Sequence, residues 1–136
     1  MNDLTENRKE LICRPIGYIR SPYEDAKAAP RCGAEAPPEL EACMEIDRQY
    51  ADAMSGMQAG KQYMILFWFD RCGPVKQTVP YHRTGPMTGL FSTHAPARPN
   101  PIGVSVVTAT RIEDQKVFFT GVDMLNGTPV LDIKNA

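Results

Sequence analysis

The sequence predicts a mainly all-β fold, a small β-barrel or strongly twisted sheet in a single domain with long loops and one short helix. Three observations lead there. The most apolar segment, KQYMILFWFD at 61–70, is rich in aromatic and branched residues and free of breakers, which marks a central strand, apolar on both faces. Other strand-like segments follow at close spacing with little helical pattern between them. A length of 136 residues with 43% hydrophobic content suffices for one packed core, and no second domain is expected.

In chain order, residues 1–11 read as a polar tail and 12–136 as the barrel domain. ICRPIGYIR at 12–20 is the first strand, and Pro15 and Gly17 within it mark an edge or a bulge. Residues 21–38, rich in Ala, Pro and Gly, form a long loop of the kind that carries function in small domains. A short strand is expected at 42–47, and a short helix at 49–57 that ends by Gly60. Beyond the central strand, 73–88 holds three prolines and two glycines and forms a second long connection, and 89–93 reads as a short strand. VSVVTATRIE at 104–113 and VFFTGVDML at 117–125 pair as a hairpin around Gln115, and the Asn126-Gly127 turn leads into a final apolar run.

Fifteen Lys and Arg against sixteen Asp and Glu leave a net charge of −1, so the whole-chain field does not advertise nucleic acid. Arg71, Lys76, His82, Arg83 and Arg98 lie in or beside the loops as a candidate local basic patch. The N-terminus lacks the pattern of a secretory signal and the apolar run at 63–69 is too short to span a bilayer, so a soluble, cytoplasmic protein without membrane partners is expected. Cys13, Cys32, Cys43 and Cys72 form no C-x-x-C and imply free thiols rather than a metal site. Cys13 and Cys43 fall on expected strands as core residues, whereas Cys32 and Cys72, beside arginines and glycines in loops, are the candidates for a reactive thiol. Phosphate-loop, dinucleotide-fingerprint and nucleophile-elbow motifs are absent.

Polar clusters interrupt the strands at 20–23 with 30–32, at Asp70 and Arg71, at His94, Arg98 and Asn100, and at 123–134. In THAPARPNPIG at 93–103, Pro96, Pro99 and Pro101 push Ala95, Arg98 and Asn100 toward extended geometry. Such stiffness exceeds what a corner needs, and it holds the side chains still for a ligand or for the fold.

GLFSTHAPARPNPIGVSVV at 89–107 followed by VDMLNGTPVLDIK at 122–134 resembles the TsaA-like, or TrmO, family, whose hallmarks are an RPNPIG segment and a later D-x-x-x-GTP-x-x-DIK segment. GYIRSPY at 17–23 and Pro30-Arg31 resemble its first segments, so the likeness spans 16–134. The resemblance implies a small β-barrel that binds S-adenosylmethionine, acts as a homodimer and methylates N6-threonylcarbamoyladenosine beside the tRNA anticodon. It implies a cofactor site at Pro30, Arg31, Cys32, Asp70, Arg71, His94, Val104, Asp123, Met124, Leu125 and Asn126. Arg98, Asn100, Asp132 and Lys134 are candidates for the reaction side. Asp70 or Asp123 would accept from ribose hydroxyls or the methionine amine, and Arg31 would meet the methionine carboxylate. His94 stands where members commonly carry arginine, Asp70 where they carry histidine, and DIKNA replaces DIKPY. A methyltransferase acting on a small metabolite and a non-catalytic S-adenosylmethionine-binding module are the alternatives. An edge strand at 12–20, together with the apolar strands, leaves the surface expected for the dimer.

Overall fold

Buried and exposed side chains alternate along the strands, which is what closing a two-faced sheet around one core requires. The computed structural model describes residues 9–30 and 32–136. Eight strands run in chain order as β1 (Gly17–Arg20), β2 (Ala42–Ile46), β3 (Gln62–Trp68), β4 (Thr78–Pro80), β5 (Met87–Gly89), β6 (Ile102–Glu113), β7 (Lys116–Thr120) and β8 (Pro129–Asn135). Six of them close an antiparallel barrel in the order β1-β2-β7-β6-β3-β8, while β4 and β5 form a separate two-stranded hairpin. Ile19, Met44, Ile65, Val107, Val117, Phe119 and Val130 point inward and are almost wholly buried, so every barrel strand contributes to the core.

The barrel corrects several expectations. The first strand covers only Gly17–Arg20, and Ile12 and Cys13 are exposed coil, because Pro15 has no amide to donate to a ladder. Nor is that strand an edge: Gly17 pairs with Ile46 of β2 on one side and with Val130 of β8 on the other. The short helix is a 3-10 segment, Arg48–Met54, capped where the Asp47 side chain accepts from the Gln49 amide and kinked at Tyr50. The connection at 73–88 contains β4 and most of β5, and the strand expected at 89–93 is a 3-10 turn, Leu90–Ser92. β7 stops at Thr120 because Gly121, at a φ of 85°, turns the chain, so Val122 and Met124 reach the core from a loop rather than a strand. Residues 1–8 of the expected tail lie outside the described residues.

β3 is central as expected, paired along its length with β6 and with β8. Its two faces differ in kind. Tyr63, Ile65 and Phe67 fill the core, whereas Met64, Leu66 and Trp68 face outward opposite Val106, Val104 and Ile102 of β6. Cys43 is buried in β2, where burial and the neighbouring Glu45 push its thiol pKa up, so this cysteine serves as a small core residue. Among the described residues no helix is long and apolar enough to cross a membrane.

Candidate functional site

The proline-framed segment is built from its carbonyls outward. Arg98 donates from Nη1 to the carbonyls of Thr93 and Ala95, both at 3.0 Å, and to that of Leu90 at 3.4 Å, while its guanidinium lies 5.8 Å from the centre of the Phe91 ring. The Pro101 carbonyl accepts from the Phe69 amide at 2.7 Å, which fixes the segment to the end of β3. At Gly103 a Cβ would overlap the rings of Phe67 and Phe69, so the glycine of the RPNPIG motif is required by aromatic packing beneath it. The stiffness therefore serves the fold first. It also leaves Thr93, His94, Pro96 and Arg98 along one wall of a cavity of about 1030 Å³.

That cavity gathers segments far apart in sequence. Pro30 and Cys32 approach from the long loop after β1, Asp70 and Arg71 from the end of β3, Val104 from the outer face of β6, and Asp123, Met124 and Leu125 from the turn before β8. Arg71 ties two of these together: its Nε meets Asp70 Oδ1 at 3.2 Å and its Nη2 donates to the Asn126 carbonyl at 2.7 Å. Asn126 lies outside the cavity wall and works as a fastener. Its Oδ1 accepts from the Ser21 amide at 3.2 Å and its own amide donates to the Tyr23 carbonyl at 2.7 Å. The Ser21 hydroxyl donates to the Met124 carbonyl at 2.7 Å, completing the seam between the loop after β1 and the turn before β8.

Asp123 is the site's unusual carboxylate. Both of its oxygens lie within hydrogen-bonding reach of the Ser105 hydroxyl, at 2.8 and 2.9 Å. Burial raises its pKa above the ordinary carboxylate range, opposed by hydrogen bonds from Ser105, from its own amide and from the amide of Gly33. The Gly33 contact ties the loop after β1 to the turn before β8, so Asp123 holds that loop as well as lining the cavity. Raised carboxylates beside a cavity are functional candidates because the fold gives up stability to keep them there.

The remaining site candidates lie elsewhere. Asn100 is exposed and uses its carbonyl to accept from Ile102 at 2.7 Å, away from the cavity wall. Asp132 and Lys134 form an exposed ion pair at 3.2 Å on β8, in register with Leu66 and Met64 of β3. They flank the outer apolar face of the barrel and not the cavity. Arg31 lies outside the described residues. Cys32 and Cys72 both line the cavity, and among the described residues no cluster of side chains is arranged to hold a metal ion.

Sequence resemblance and geometry meet in the comparisons. Residues 18–135 match the family of the tRNA-methyltransferase O N-terminal domain. The chain belongs to the TrmO family. A probable S-adenosyl-L-methionine-binding protein, VirR, of Rhizobium radiobacter is 36% identical over 88% of this chain and 67% of its own length. An S-adenosyl-L-methionine-binding protein of Archaeoglobus fulgidus is 33% identical over 91% of this chain and 88% of its own length. The crystal structure of TrmO from Pseudomonas aeruginosa superposes with a TM-score of 0.76 at 32% identity, over 94% of this chain and 56% of that one. The chain thus spans a little more than half of that solved TrmO.

Ser105 and Thr93 also line the cavity without having been singled out from sequence, as do His82 and Arg83, which were expected only as part of a local basic patch. Ser105 alternates inward on β6 like a core residue, and only the barrel's closure shows it facing Asp123. His82 and Arg83 carried a signal that was legible. From Arg71 to Ile112 the sequence holds no aspartate or glutamate, five of the fifteen Lys and Arg, and both histidines.

Proposed function

We propose that this chain is an S-adenosylmethionine-dependent methyltransferase that modifies the N6 of an adenosine in tRNA, with the N6-threonylcarbamoyl form beside the anticodon as its acceptor. One observation carries the reading: the segments that the family motifs mark for the cofactor, which reach from Pro30 to Leu125 along the chain, line one cavity of about 1030 Å³. Its size is at the upper end for small-molecule sites, enough for the cofactor and an incoming planar group. Val104 and Phe67 supply apolar wall, and Asp70 and Asp123 supply acceptors for hydroxyl or ammonium groups. The carboxylate of the methionine moiety falls to Arg31.

When bound, the cofactor supplies a methyl group on a sulfonium, and its transfer by in-line displacement needs alignment and exclusion of water more than a strong acid or base. The chain's contribution is therefore rigidity. Arg98 holds the 90–98 loop, Arg71 and Asn126 hold the turn before β8, and Asp123 holds the loop after β1. A preformed wall lowers the ordering cost of binding and keeps the reacting atoms in line.

We propose in addition that the chain works as a homodimer through the outer face of β3 and β6. Ile102, Val104 and Val106 are 40%, 41% and 47% exposed and stand beside Trp68, Leu66 and Met64, an apolar surface that a second copy would cover. Ile102, Val104 and Val106 also line the cavity, so the proposed dimer contact and the cofactor site share this face of β6.

Calorimetry with S-adenosylmethionine, followed by mass analysis of tRNA digests after incubation, tests the reading. Binding with a mass gain on a modified adenosine is expected. Absence of heat with folded protein at millimolar cofactor defeats the cofactor assignment. Binding without S-adenosylhomocysteine formation replaces the enzyme by a binding module, and turnover on small molecules alone replaces the tRNA acceptor.

A further inference from the structure

A net charge of −1 conceals a strong division within the chain. The run 71–112 carries five Lys and Arg and no carboxylate, whereas the other residues carry ten Lys and Arg against sixteen carboxylates. The fold keeps this run together. It leaves the end of β3, forms the β4–β5 hairpin and the 90–101 loop, and returns as β6, with Arg71, His82, Arg83, His94 and Arg98 all on the cavity wall. One side of the site is therefore rich in cations, with Asp70, ion-paired to Arg71, as the neighbouring carboxylate, and this raises the local concentration of anions despite the overall charge.

The same excursion displays aromatic surface. Tyr81, at the hairpin tip, is 45% exposed, and Phe91, on the turn that follows the hairpin, is 81% exposed. The Tyr81 ring meets that of His82 edge to face with centres 4.1 Å apart, and His82 lines the cavity. His82 and Arg83 occupy left-handed backbone, with φ of 50° and 70°, a conformation disfavoured for residues other than glycine. The tip is held there by the Gly85 amide donating to the Tyr81 carbonyl at 2.7 Å and the Tyr81 amide donating to that of Pro86 at 2.9 Å. Among the described residues the Arg83 guanidinium has no hydrogen bond or ion pair, so it is available to an incoming anion.

Cations interleaved with exposed rings beside a cavity suit single-stranded nucleic acid, which offers phosphates and stackable bases together. Two copies of this chain meeting face to face here would oppose like charges. We propose that the β4–β5 hairpin is the docking face for an unpaired stretch of RNA. Tyr81 stacks on a base, and Arg83 contacts a phosphate at the cavity mouth. This rests on the nucleic-acid acceptor proposed above and names the surface that receives it.

The test uses the full chain, with binding of unfractionated tRNA and of a single-stranded oligoribonucleotide followed by fluorescence anisotropy across a salt series, and S-adenosylmethionine calorimetry alongside. Tyr81→Ala is expected to weaken RNA binding about tenfold, and Tyr81→Phe, which keeps the ring, to stay within about twofold of wild type. Arg83→Ala should flatten the log–log salt dependence by about 0.7, because one phosphate is no longer neutralised by the protein. Cofactor affinity should be unaltered in both Tyr81 variants, which separates docking from misfolding. If wild type binds and methylates tRNA while Tyr81→Ala and Arg83→Ala match it, the docking face is elsewhere and the proposed activity stands. If wild type binds the cofactor but neither RNA at low salt, the nucleic-acid acceptor fails and this surface with it. Binding to phosphatidylserine vesicles in place of RNA would overturn the proposal in favour of a membrane.

Discussion

Arg98 and Asp123 show how single side chains serve both fold and site. Arg98 commits one nitrogen to three carbonyls of its own loop. A lysine keeps the charge but is one atom shorter than the reach to Nη1 and loses the planar guanidinium beside Phe91, so Arg98→Lys is expected to lose about 1–2 kcal/mol, several degrees of melting temperature, with transfer per folded molecule kept within about tenfold. Unchanged melting with a larger loss of transfer would place Arg98 among the reacting groups instead. Asp123 makes a different prediction. Because burial raises its pKa, folding favours the protonated carboxyl; that contribution is complete below the ordinary carboxylate range and is lost as pH rises through the raised value. Asp123→Asn, a neutral mimic, should therefore gain melting temperature relative to wild type as pH rises above the ordinary aspartate value and through the raised one. A gap that shrinks over this interval would mean that the anion, held by Ser105 and Gly33, is the favoured form.

At the scale of elements, β3 and β6 carry most of the burden. Gly103 opens β6 where the rings of Phe67 and Phe69 press against its backbone. Gly103→Ala should cost about 1–3 kcal/mol, the usual penalty of overpacking, and lower the urea midpoint without changing the denaturant slope. An unaltered midpoint would mean the rings move aside easily. Long strands such as β3 and β6 were legible because their patterns run for seven residues or more, whereas β8 was read only as a final apolar run. The β4–β5 hairpin was not, since three-residue strands containing Pro80 carry too little pattern to rise above a loop. The last residues expected in β7 went to a buried loop because Gly121 turns the chain while Val122 and Met124 still find the core.

The whole molecule has two outer regions of opposite character: an apolar face on β3 and β6, and the cationic excursion at 71–101 that joins these two strands. The first is the proposed dimer contact. Val106→Glu, which places a charge in its midst and on the cavity wall without touching the core, should convert a dimer to a monomer in light scattering while leaving the circular dichroism spectrum intact. A monomeric wild type at high concentration would remove the dimer from the proposal. The first strand offers a second copy no open edge, because β1 is paired on both sides.

By itself the sequence determined that this protein is a β-rich single core, that its motifs belong to a known family, and that the stiff segment around Arg98 matters, since each of these is written in local composition and spacing. Even the carboxylate-free run that makes one side of the site basic can be read directly from the letters. Tertiary structure decided which motif residues share a cavity. It brought Pro30, Asp70, Val104 and Asp123 to one wall and sent Asn100, Asp132 and Lys134 elsewhere. The reason is geometric: motif order runs along the chain, whereas barrel closure interleaves β7, β6 and β3 out of sequence order, and only that closure sets which strand ends meet.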